Sequence, residues 1–119
     1  MKIIEYTIGS DKKINFVLTR DGKIEPLNLN LPGGDSIKVL FPGDPLTLVK
    51  TLNNVISDEV IIDSNDCGQF HAQLIETDPV KEGNSQSIVV KIKRGGEDIV
   101  MEFVTSFNVT NPSLVEPPP

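Results

Sequence analysis

The sequence predicts an all-β fold, an antiparallel β-sandwich of the immunoglobulin-like kind with about seven or eight short strands. Three observations predict it. Apolar and polar residues alternate along much of the chain, the period of a strand with one buried face. Gly and Pro number nine each, and most fall between the alternating runs, where turns need them. The apolar residues are mainly Val, Ile and Leu, which suit a pleated, half-buried surface.

Each element follows from a local pattern. Lys2–Ile8 reads as an edge strand, punctuated by Gly9, Ser10 and Asp11. Ile14, Phe16 and Leu18 alternate with Asn15, Val17 and Thr19, a strand with one buried face. Arg20-Asp21-Gly22-Lys23 follows, and Asp-Gly between such runs signals a hairpin. Leu27, Leu29 and Leu31 alternate with Asn28 and Asn30, which predicts another strand. Pro32–Asp35 makes a turn, Ile37, Val39 and Phe41 mark the next strand, and Pro42–Pro45 ends it. Leu46–Ile62 fits either a helical stripe or two strands; its β-branched residues and the Asn53-Asn54 pair favour two strands, with room for one helical turn. Asp63–Gly68 is a polar turn, and Phe70, Ala72 and Leu74 then alternate with Gln69, His71 and Gln73. Thr77–Ser85 reads as a loop. Ile88, Val90 and Ile92, the turn Arg94-Gly95-Gly96-Glu97, and Ile99, Met101 and Phe103 form a second hairpin, which Phe107 and Val109 extend.

The chain of 119 residues suits one domain. Residues 1–110 form the sandwich. Residues 111–119 hold four prolines and predict an extended arm, because proline cannot donate to a sheet ladder. In that arm Pro112, Leu114, Val115 and Pro117 are the candidate partner contacts.

The formal net charge of -6 argues against nucleic-acid binding and against an anionic membrane surface, since both need clustered Lys and Arg. Cys67 is the single cysteine, so no intrachain disulfide can form, which fits a reducing cytosol or a product assembled there. Met1–Ser10 has no apolar core of a signal peptide, and no apolar run approaches the roughly 20 residues that span a bilayer.

Candidate chemistry is thin. Asp63, Asn65 and Gly68 match positions of a calcium loop, but Cys67 and Leu74 stand where two further oxygen ligands are required, so the segment reads as a tight Asx-type turn. Cys67 and His71 lie four residues apart, ~13 Å along a strand, too far for a base to activate a thiol. Cys67 reads as a small half-buried residue and His71 as a solvent-facing one. The pairs Asp58-Glu59 and Glu97-Asp98 read as solvated turn charges, because adjacent strand residues point to opposite faces. Gly33-Gly34 and Gly95-Gly96 read as turns rather than phosphate loops. The sequon Asn108-Val109-Thr110 carries meaning only in a secreted protein. No catalytic residue, metal or cofactor is expected.

The run Gly9–Thr19, then Asp21-Gly22, then Pro26–Leu29, resembles the opening of the N-terminal domain of phage baseplate upper proteins. Gly68-Gln69-Phe70 resembles that family's middle, and Ile88–Phe103 its closing hairpin. The resemblance implies an immunoglobulin-like sandwich and a non-enzymatic structural protein of a tailed-phage virion, made in the host cytoplasm. A stand-alone domain of this kind looks like an accessory component, either of the tail or baseplate or as capsid decoration. Its implied partners are other virion proteins, with no nucleic acid, membrane or small-molecule substrate. The alternative is a carbohydrate- or ligand-binding sandwich, which would want exposed aromatic platforms; Trp is absent and Tyr6 is the only Tyr. An enzyme is the third class, with one His and one Cys available to it.

Overall fold

The computed structural model describes residues 3–53 and 59–112, with backbone alone at 102–105. Among these residues every regular element is a strand. In chain order they are β1 (Ile3–Thr7), β2 (Lys12–Val17), β3 (Thr19–Arg20), β4 (Lys23–Ile24), β5 (Ser36–Phe41), β6 (Leu48–Leu52), β7 (Val60–Ser64), β8 (Gln69–Leu74), β9 (Gly83–Arg94) and β10 (Glu97–Thr110). The five-stranded sheet has the order β1-β10-β9-β5-β6, the three-stranded sheet β2-β8-β7, and β3-β4 form a small ribbon.

Both larger sheets contribute to one buried apolar cluster. Ile37, Val39, Phe41, Ile88, Val90, Ile92 and Phe107 come from the first sheet, and Ile14, Phe16, Phe70, Ala72, Leu74 and Val60 from the second. Alternation therefore does what the sequence predicts: every second residue of β5, of β8 and of the Ile88–Ile92 part of β9 enters the space between the sheets. Aromatic rings fix its centre. Phe16 and Phe70 are register partners on β2 and β8 and stack at 5.3 Å between ring centroids, while Phe41 meets Phe107 at 6.0 Å. Such pairs contribute about 0.5–1.5 kcal/mol beyond their buried area.

Both predicted hairpins form, for a local reason. Asp21 and Gly22 have φ of 54° and 77°, and Gly95 and Gly96 have 57° and 84°. Two successive positive φ values match the twist of the flanking strands, and Asp-Gly and Gly-Gly reach them at low steric cost. The Leu46–Ile62 stretch supplies β6 and the start of β7, as two strands. Residues 54–58 lie outside the described residues.

Three expectations are corrected. The segment of Leu27, Leu29 and Leu31 is not a strand. Its backbone is satisfied by loops instead: Leu27 N donates to Asn65 O at 3.0 Å, Asn28 N to Asn65 Oδ1 at 2.9 Å and Asn30 N to Asp35 Oδ2 at 2.7 Å. Asn28 also turns the chain with a φ of 45°. Leu27 is nonetheless fully buried. Second, the pairing is not antiparallel throughout, because β1 runs parallel to β10, with Ile3 opposite Ser106 and Thr7 opposite Thr110. The Gly9 turn carries the chain from one sheet to the other, so β1 takes its partner from the far end of the sequence. Third, the described residues form ten strands where about seven or eight are predicted, because the Asp21-Gly22 hairpin is a separate two-stranded ribbon.

Candidate partner-binding face

The outer face of the five-stranded sheet carries an uncommon row of side chains. Ile37 and Val39 of β5, and Val90 and Ile92 of β9, enter the core. The alternate positions Lys38, Lys91 and Lys93 are therefore exposed on the opposite face. Register sets them side by side: Lys38 stands opposite Lys91, which stands opposite Val100, and Lys93 lies between Ser36 and Asp98. One residue pair further along, Leu40 lies between Val49 and Val89, and Glu102 follows in the register. Ser36, Lys38, Lys91, Lys93, Asp98 and Val100 line a shallow depression of about 330 Å³.

This arrangement does not favour the fold. Like charges directly opposite on neighbouring strands destabilise the pair by up to about 1 kcal/mol. Among the described residues neither Lys38 nor Lys91 takes part in an ion pair. Val49 and Val100 are exposed beside them, the latter at 61%. The signal is present in the sequence, in Lys91 and Lys93, which flank Ile92, and in Lys38, which stands between Ile37 and Val39. Alternation by itself reports the buried half of a strand and not which residues its exposed half sets side by side.

The other polar clusters are spent on holding the fold. Lys50 of β6 shares its parity with Leu48 and Leu52, so its stem enters the sandwich rim and its side chain is only 4% exposed. Its Nζ meets Asp78 Oδ2 at 2.8 Å and Glu59 Oε2 at 3.6 Å, while Asp78 also accepts from Ile75 N at 2.8 Å. Burial, then the nearby Asp78 carboxylate, push the Tyr6 hydroxyl above the ordinary tyrosine range, and the Ser10 side chain offsets part of this; the hydroxyl itself donates to Ser10 O at 2.6 Å.

At the opposite end of the sandwich, Arg94 ties the Leu27 segment down. Its guanidinium donates to Pro26 O at 3.0 Å and pairs with Glu25 at 2.8 Å. Arg20 bonds Glu97 at 2.6 Å, which holds the Glu97 carboxyl below its usual range. Asp35 accepts from the backbone N–H groups of Asn30 and Gly95, and these lower its pKa. Glu97 thus pairs with Arg20 and Arg94 while its side chain stays half exposed, and Asp98 lies beside Lys93 on the other side of the strand.

Two further expectations change. His71 is on the outer face of its sheet, as alternation requires, but it is buried at 4% exposure. It sits on the central strand β8 between Asn15 and Ile61, and its Nδ1 lies 2.9 Å from both Asp63 oxygens. Cys67 is exposed rather than half-buried, because it stands in the β7–β8 turn and not on a strand. The calcium-loop candidates are likewise occupied: Asp63 by His71, and Asn65 by the Asn28 backbone and side chain. Among the described residues no group of three or more His, Cys, Asp or Glu is placed to hold a metal ion. Of the predicted arm contacts, Pro112 is exposed just beyond β10; Leu114, Val115 and Pro117 lie outside the described residues.

Compared with protein-family models and with curated proteins, the chain matches none.

Proposed function

We propose that this protein is a non-enzymatic assembly module, a structural component of a tailed-phage particle that works through protein–protein contacts. The observation that carries the reading is the outer face of the five-stranded sheet. Its exposed valines and its unpaired Lys38 and Lys91 cost stability where they stand, and contact with a second surface would offset that cost. The sequence resemblance to phage baseplate upper proteins supplies the setting. The strand order supports the same family of folds. With β2, β7 and β8 taken as strands B, D and E, and β5, β6, β9 and β10 as C, C′, F and G, the two sheets follow the order of a variable-type immunoglobulin domain.

The sugar-binding alternative is less well supported. The described rings of Tyr6, Phe16, Phe41, Phe70 and Phe107 are all buried in the core, whereas a sugar platform must be exposed.

The test is incubation of the purified protein with purified phage tails and, separately, with purified capsids, followed by sedimentation. Saturable association with one of the two is expected, and it would separate a tail or baseplate component from a capsid decoration protein. Association with neither at micromolar concentration refutes the reading.

A further inference from the structure

We propose that the face bearing Lys38, Lys91 and Lys93 docks an acidic protein surface, one that presents Asp or Glu side chains at strand-like spacing. The proposal deepens the assembly reading by naming the partner's chemistry, and it rests on that reading for its biological setting.

Charge complementarity carries it. The chain has a net charge of -6, yet on this face three lysines gather around one depression, with Asp98 as the single carboxylate among the described residues that line it. Lys38 and Lys91 stand on adjacent strands in direct register, so their ammonium groups repel until an anion lies between them. Partner carboxylates placed over the pair would relieve that repulsion and gain two attractive contacts. The geometry also selects the class of anion. Val49, Leu40 and Val89 form an aliphatic row one pair away, and Val100 flanks Lys91. A protein surface can cover both rows at once. A nucleic-acid backbone would leave the aliphatic row uncovered and would need a longer basic track than three lysines provide.

The lysines would act chiefly on encounter and register, and the valines on residence, because exposed rim charges mainly set association rate and salt dependence.

The experiment uses a fluorescent polyglutamate peptide as probe, with polyglutamine of the same length, a short DNA duplex and sedimentation equilibrium of the free protein in parallel. Amide resonances are followed by NMR. Polyglutamate is expected to shift the resonances of Lys38, Lys91, Lys93 and Val100, with affinity that falls as salt rises. K38E and K91E should each weaken it by about tenfold. K38E creates an opposite-charge pair across the strands, so it is expected to stay folded and keeps the test valid. Shifts confined to other surfaces, or equal affinity in wild type and both variants, overturn the proposal. DNA bound more tightly than polyglutamate through the same lysines would replace the partner class. A dimer closed on this face would replace the foreign partner with a second copy. Particle association without any polyglutamate shift on this face would sink the docking proposal and leave the assembly reading standing. The converse result would sink the assembly reading alone.

Discussion

Replacing Asp78 by Ala should expose how much the sandwich rim depends on one buried ion pair. The Lys50 side chain is 4% exposed and that of Asp78 10%, with 2.8 Å between charged atoms. Removing one partner from a buried pair costs about 3–5 kcal/mol, because the surviving charge stays desolvated. Glu59 lies 3.6 Å from Lys50 Nζ and is half exposed, so it can compensate in part and places the loss near the lower end, about 3 kcal/mol. For a domain of this size that is a fall in melting temperature of about 12 °C. The double variant K50M/D78A should be more stable than D78A alone, since an apolar side chain then fills the rim in place of an orphaned ammonium. Urea and thermal unfolding measure both. A second readout is free of stability. Tyr6 is the only tyrosine, so its ionisation can be followed by ultraviolet absorbance, and loss of the Asp78 charge should lower its pKa toward the ordinary value while burial keeps it raised. A D78A protein that melts within about 2 °C of wild type, or a double variant as unstable as the sum of the two singles, would refute the reasoning.

Other outcomes follow from features already described. G68A should destabilise by more than about 1 kcal/mol in urea unfolding, because Gly68 has a φ of +63° and an added Cβ would collide with the Glu25 carbonyl oxygen. L27A should cost about 2–5 kcal/mol although Leu27 lies in no strand, since its side chain is fully buried; a loss typical of a surface loop would contradict the packing. K38E should raise stability by about 0.2–1 kcal/mol at low salt, an advantage that shrinks as salt is added. Asp35 binds its proton less readily when folded than when unfolded. Its contribution is therefore present above the ordinary carboxylate pKa and is lost as pH falls through the lower folded value, so D35N should flatten the acid limb of the stability profile.

What could be read from the sequence divides by physical range. The hairpin turns at Asp21-Gly22 and Gly95-Gly96 were legible because positive φ is a demand on two adjacent residues. The buried faces of β5, β8 and β9 were legible because alternation reports burial directly. Alternation does not report hydrogen bonding, however, so the inward face of Leu27 is legible in the sequence while its loop-borne backbone bonds are not. His71 shows the same limit: parity gives its face, while its coverage depends on strands at Asn15 and Ile61 that are distant in sequence. The parallel partner of β1 left no local mark, since Ile3 meets Ser106 across nearly the whole chain. Of the predicted arm contacts, only Pro112 falls within the described residues.

The parallel pairing of β1 with β10 has a mechanical consequence. Tension applied ahead of Ile3 and beyond Thr110 pulls these neighbouring strands in opposite directions along their own axes. The bonds between them, spanning the register from Ile3–Ser106 to Thr7–Thr110, are then loaded together in shear. An antiparallel pair gripped at one end would instead unzip, bond after bond. A fold held this way resists stretching along its length better than its small size implies, a useful property for any link that must transmit force.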